Sequence, residues 1–139
     1  METSVINKKS SAVQNVESYF KTHDVAFLTE DALFKNMSTG EEISGRKAIG
    51  EMLNYTYHIA FDAKAVIISS IITESQALLE ATFTGKHIGE FAGVKATGAT
   101  VNVPLCVSYD LNENGFIKEA RIYMLTDVLK SQIENTAVK

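Results

Sequence analysis

Few side chains in this sequence are placed to do chemistry. They are three histidines, one cysteine, and some carboxylates and phenols on segments with strand or helix periodicity. Arg121, Tyr123 and Leu125 alternate, so a strand would put all three on one face. As a pocket wall, that face offers Arg121 to an anion or carbonyl and the Tyr123 phenol as a hydrogen-bond donor. As an outer surface, it pairs Arg121 with Glu119 or another carboxylate and leaves Tyr123 as amphipathic core. Glu80 sits among Leu78, Leu79, Ala81 and Phe83, and alternation puts it on the face opposite His87. Pointing inward across a bulge, it would be a general base. Asp127 suits the first turn of a terminal helix, where the macrodipole favours a carboxylate; on a continued strand it would share a face with Leu125.

The remaining candidates read as structural. On a helical wheel His58 falls opposite the apolar stripe and faces solvent. His23 lies near the end of the first helix, where an imidazolium complements the dipole. Cys106 is out of phase with the apolar face of Val101 to Tyr109 and has no His–carboxylate pair beside it, so it reads as a small structural thiol.

Several classes of function are excluded. The histidines lack metal-ligand spacing, and one cysteine makes neither an internal disulfide nor a thiolate-rich zinc site. There is no phosphate-binding loop, dinucleotide motif or nucleophile elbow. With 13 basic and 17 acidic residues, the net charge is −4. Nucleic acid and anionic membranes call for a basic patch, so neither is an expected partner. The longest apolar runs are too short to span a bilayer, and Met1 to Ser11 lacks the apolar stretch of a signal peptide, so a cytoplasmic location is expected. The 139 residues, 45% of them hydrophobic, suit one domain over residues 1–139, with 1–10 expected to fray.

The positioning elements follow from periodicity. Val5, Ala12, Val13, Val16, Tyr19 and Phe20 share one face of a first helix ending near His23. A second helix is expected from about Gly45 to Ala60, with Ser44 as N-cap and Ile49, Met52, Leu53, Thr56, Ile59 and Ala60 inward. Ala32 to Met37 reads as a short strand. Strands are also expected at Ala65 to Thr73, Ala77 to Thr84, Val101 to Tyr109 and Phe116 to Leu125. A last helix starts near Thr126 and turns Leu129 and Ile133 inward. Helices followed by antiparallel strands make an α+β fold. Four glycines between Gly85 and Thr100 suggest a bulged strand or a mobile loop.

Several segments in order resemble a known family. They are Thr29–Phe34, Thr39–Glu41, Gly45–Ile49, Phe83–Gly93, Ala96–Gly98, Val103–Pro104, Tyr109–Leu111, Gly115–Ile117, Ala120–Tyr123 and Leu129–Gln132. Together they resemble the SnoaL-like polyketide cyclase and ester cyclase family of the NTF2-like (cystatin-like fold) superfamily. The resemblance covers roughly residues 12 to 133, and Gly85 to Pro104 is its most specific part. It implies a cone: a bent antiparallel sheet around helices, an apolar pocket at the open end, and a homodimer through the outer sheet face. It also implies ring closure by aldol condensation without a metal or organic cofactor, a carboxylate and a histidine handling the protons. The related ketosteroid isomerases use the cone for enolate chemistry.

His87 matches the family's histidine, and as such is either a proton shuttle or carbonyl donor, or a rim histidine satisfied by backbone. The family's final strand carries a carboxylate seven residues before a Gln. Counting back from Gln132 reaches Leu125, so Tyr123 matches and the acid does not. The resemblance thus makes His87 and Tyr123 the candidate catalytic residues, with Leu125 and Arg121 beside them. Phe34, Met37, Tyr55, Phe61, Phe83, Phe91 and Tyr109 are candidate pocket lining, although core packing accounts for them as well. The expected ligand is a small apolar molecule bearing a carbonyl. Three roles follow: an enolate-chemistry cyclase or isomerase, a non-catalytic ligand-binding homodimer, or a subunit that binds another protein.

Overall fold

The computed structural model describes residues 11–138. Helix α1 (Ser11–Thr22) leads through a 3-10 turn (Val25–Phe27) into β1 (Leu28–Asn36) and β2 (Glu42–Ser44). Helix α2 (Arg46–Asn54) runs into a π turn (Tyr55–Ile59). Four long strands follow, β3 (Phe61–Ile72), β4 (Gln76–His87), β5 (Thr100–Leu111) and β6 (Ile117–Met124), and α3 (Thr126–Val138) closes the chain. The six strands make one sheet in the order β2-β1-β6-β5-β4-β3, antiparallel except for β1 beside β6. The expected α+β cone is therefore what forms. Val5, read as part of the first helix, lies outside the described residues.

The sheet has two unlike faces. Along β4, Ala77, Leu79, Ala81, Phe83 and His87 are buried, while Leu78, Glu80 and Lys86 are exposed. Along β5, Val101, Val103, Leu105, Val107, Tyr109 and Leu111 are buried. Val16 and Tyr19 of α1, Ile49 of α2, and Leu129 and Ile133 of α3 cover this inner face, and no fraction of Val16, Ile49 or Ile133 reaches solvent. Gln132 fastens α3 to the sheet: its side chain accepts from the Asn102 N–H at 2.8 Å and donates to the Asn102 carbonyl at 3.0 Å.

Two local expectations are corrected. Ser44 does not cap α2: it ends β2, and the cap is Gly45 at φ 90, a conformation that costs little only for glycine. The second helix also does not keep one stripe to Ala60. The Ala60 N–H bonds back five residues to the Tyr55 carbonyl, which widens the turn so that each residue rotates by less than the 100° of an α-helix. Ile59 is thereby swung to the surface, and Tyr57 points in against Phe83 at 5.3 Å between ring centroids.

Candidate functional site

The face expected as a pocket wall is the outer one. Ala120 is buried and Ile122 and Met124 pack inward, so the alternate residues Arg121 and Tyr123 face away from the helices. Tyr123 is 48% exposed and Leu125 53%. With Ser69, Ile71, Leu78, Glu80, Pro104 and Cys106 they line an outer groove of about 380 Å3. Glu80 sits in this groove, away from the interior, as alternation predicts, and Asp127 is exposed at the start of α3.

Arg121 is held beside the groove. It bonds Asp110 through two oxygens at 2.9 and 3.0 Å, Glu119 at 2.6 Å and the Ser108 hydroxyl at 3.1 Å. These hydrogen bonds, Asp110 first, raise the guanidinium above its ordinary value. In turn Arg121 holds Asp110 below the usual carboxylate value, against partial burial, with help from Gln76. The second reading of Arg121, pairing with Glu119 and a neighbour, is the observed one.

His87 is fully buried at the inner end of β4, on the face opposite Tyr123. Its Nδ1 accepts from the Thr97 N–H at 3.2 Å and lies 3.0 Å from the Thr97 hydroxyl, and its ring packs on Phe61 at 5.2 Å. An Nδ1 that accepts leaves the proton of the neutral ring on Nε2. Nε2 is buried with no hydrogen-bond partner among the described residues. His87 thus pins the loop after β4: its N–H and carbonyl also bond Ala99 and Gly98. It lines neither the outer groove nor the cleft beside β3 described below.

The expected lining residues scatter. Phe34, Phe61, Phe83 and Tyr109 are core residues. Phe91 packs from the loop onto Phe61 at 5.1 Å. Tyr55 is exposed and donates to the Glu90 carbonyl, and Met37 is exposed where β1 ends.

A larger cleft, about 580 Å3, opens on the inner side of β3. Phe20, Tyr57, Ala63, Ala65 and Ile67 give it an apolar floor, and Glu17, Lys21, Thr22, His23, His58, Lys64 and Ser70 complete its boundary. This size fits a small-molecule site. His23 ends α1 in a left-handed conformation at φ 56, with its N–H on the Tyr19 carbonyl at 2.7 Å. Its ring lies 4.6 Å from Tyr57 and 5.4 Å from Tyr19. Burial, then the nearby His58, lower its affinity for a proton, so the neutral imidazole is favoured rather than the imidazolium expected from the helix dipole. Burial pushes the Tyr57 phenol up to about 12, so it stays a donor at neutral pH. His58 is exposed, as the wheel predicts, but at the cleft rim rather than in open solvent.

Sequence reasoning missed this pairing because His23 and Tyr57 meet only when α1 and the π turn fold onto one sheet face. Among the described residues, no group of three or more His, Cys, Asp or Glu comes together to hold a metal. No helix among them is long and apolar enough to cross a membrane.

Comparisons with known proteins agree with this architecture. A chain from Jannaschia sp. CCS1, described as SnoaL-like polyketide cyclase, superposes with a TM-score of 0.76 at 19% identity, covering 91% of this chain and 96% of that one. A phenazine biosynthesis-related protein from Pseudomonas aeruginosa gives 0.73 at 18% identity, covering 89% and 81%. A protein from Catenulispora acidiphila with a ketosteroid isomerase-like fold, in complex with trimethylamine, gives 0.68 at 14% identity, covering 91% and 95%. These likenesses establish the fold. A comparison with curated proteins finds no match. The family model for SnoaL-like polyketide cyclase matches residues 12–130, nearly the whole described chain, and the protein therefore belongs to the SnoaL-like polyketide cyclase family.

Proposed function

We propose that this chain binds a small, mostly apolar molecule bearing a carbonyl in the cleft between α1, the π turn and β3, and acts on it through enolate chemistry. The observation that carries this reading is the cleft itself: a cavity of about 580 Å3 with an aromatic and aliphatic floor, an imidazole and a phenol. An apolar body fits the floor, and a carbonyl gives the phenol an oxygen to bond. The reaction class needs proton transfer and oxyanion stabilisation, which side chains supply without an organic cofactor. On this reading His87 anchors the loop after β4, and Tyr123, Arg121 and Leu125 serve a subunit interface rather than the chemistry.

The outer groove favours a companion reading: a cytoplasmic homodimer joined through the outer sheet face. Ile71, Leu78, Pro104, Tyr123 and Leu125 make an apolar centre. Lys35, Arg121, Asp110 and Glu119 beside it carry both signs of charge, so a copy turned by a two-fold axis meets a complementary rim. The acidic net charge leaves nucleic acid and anionic membranes outside the reading.

The binding test uses 2-tetralone, an apolar ketone, titrated by ligand-observed NMR. Ala65→Trp should fill the cleft and abolish binding, while Leu78→Trp in the outer groove should leave it intact. Absence of binding, or loss through Leu78→Trp alone, overturns the cleft as the site.

A further inference from the structure

The geometry points to His23 as the group that takes and returns the proton in this cleft; this rests on the reading that the cleft binds a carbonyl compound. The candidate carboxylates are elsewhere. The position of the family acid is Leu125, in the outer groove on the far side of the sheet, and Glu80 shares that groove. Asp127 is exposed on α3. Of the cleft's boundary residues, only Glu17 is a carboxylate, and it is exposed on α1.

His23, by contrast, is built into place. Its backbone closes α1 in the left-handed region, held on one side by the bond to Tyr19. On the other side the Asp24 N–H bonds the Thr22 hydroxyl at 3.1 Å, and the Asp24 carboxylate accepts from Ala26 at 2.9 Å. This turn sets the ring between Tyr19 and Tyr57, partly exposed to the cleft. Neither imidazole nitrogen is paired among the described residues. An unpaired, neutral imidazole beside a protonated phenol is a base with an oxyanion donor next to it.

The step balances without a co-reactant. An unprotonated ring nitrogen of His23 takes the proton from the carbon next to the carbonyl. The electrons of that C–H bond form a C=C bond, and the carbonyl electrons move to oxygen, which accepts the Tyr57 hydrogen bond. The imidazolium then returns the proton to the same carbon, or to the γ carbon of an unsaturated ketone, which shifts the double bond.

The charged and titratable groups around His23 are Glu17, Tyr19 and Lys21 of α1, Asp24 beside it, Tyr57 and His58 of the π turn, and Lys64 of β3. Activity should rise to a plateau as pH passes a midpoint below the ordinary imidazole value. Removing His58, a like-charged neighbour once protonated, should move that midpoint upward.

The test follows exchange of the α-protons of 2-tetralone in D2O by NMR, with tetralone binding measured in parallel. His23→Asn tolerates the left-handed backbone. It should lower exchange by about 100-fold or more and leave affinity within about threefold. His23→Gly, which also accepts the positive φ, should recover exchange on addition of free imidazole. His58→Gln should shift the pH midpoint upward. Full exchange in His23→Asn, or loss in Glu17→Gln instead, overturns the assignment to His23. Tetralone that fails to bind the unaltered protein overturns the cleft reading and this inference together. Tetralone that binds without His23-dependent exchange overturns only this inference.

Discussion

His23 and Tyr57 stack at 4.6 Å between ring centroids, joining the end of α1 to the π turn after α2. From Tyr57 the rings continue inward through Phe83 at 5.3 Å, Phe61 at 5.3 Å and His87 at 5.2 Å. The half-exposed histidine at the cleft and the buried histidine under the loop thus sit at two ends of one aromatic row.

Tyr57 therefore does two separable things. Tyr57→Phe keeps the row and removes the phenol. Its thermal stability should stay within about 1 kcal/mol of the parent, because the hydroxyl has no hydrogen-bond partner among the described residues that its removal would leave unpaired. Tyr57→Ala empties the space against Phe83 and should cost about 3 kcal/mol. Under the proposed function, Tyr57→Phe weakens tetralone binding about tenfold, the loss of one hydrogen bond. Urea unfolding together with NMR titration checks both parts.

His87 supports the loop rather than an open site. His87→Ala leaves a cavity and an unpaired Thr97 N–H, and should destabilise by about 2–4 kcal/mol. The loss should appear first as faster proteolysis between Ile88 and Ala99, since the ring's bonds to Thr97 are gone and only the backbone bonds of residue 87 to Gly98 and Ala99 still hold that loop. Limited digestion that cuts the variant and the parent at equal rates in that loop would contradict this.

At Gly85 the strands β3 and β4 lie too close for a side chain. A Cβ there would stand 2.2 Å from the Asp62 carbonyl oxygen and 2.5 Å from the Ala63 Cα, both backbone atoms. Gly85→Ala should cost at least about 3 kcal/mol, or prevent folding, because neither strand can yield without breaking its ladder. Yield of soluble protein and the midpoint of urea unfolding measure it.

The Arg121 network predicts an acid-sensitive contribution. Asp110 is held below its ordinary value in the folded chain, so its stabilisation is present above the unfolded carboxylate value, near about 4. It is lost as pH falls through the lower folded value. Asp110→Asn should thus melt below the parent at pH 7 by about 1 kcal/mol, and the two curves should converge in strong acid. Thermal melts at several pH values decide it, and a gap that widens in acid would contradict the linkage.

Leu125→Asp restores the family's acid in sequence but not in space. The residue is exposed in the outer groove, so folding stability should change by less than about 0.5 kcal/mol and tetralone exchange should not rise. If the outer face joins two copies, the buried charge should weaken the dimer by tenfold or more, read by analytical ultracentrifugation. A gain in exchange would place the chemistry at the outer groove instead.

Much of the architecture was legible in the residues. Alternation along Val101–Tyr109 and Ala120–Met124, and the inward Leu129 and Ile133, marked the strands and last helix that form. The parity of Arg121, Tyr123 and Leu125 and the outward Glu80 were also readable, because period two assigns alternate residues to opposite faces. Parity does not say which face the helices cover. That was decided by α1, α2 and α3 packing over Phe83, Val103 and Ala120, which left Tyr123 and Leu125 outside. The wheel that turned Ile59 inward failed for a local reason: a π turn rotates residues differently from an α-helix, and here it delivers Tyr57. The sequence by itself determined the long strands and their alternation, though not the short β2. Only the tertiary structure brought His23 to Tyr57, since residues distant in sequence meet where two elements pack on one sheet face, and no spacing within either element encodes that meeting.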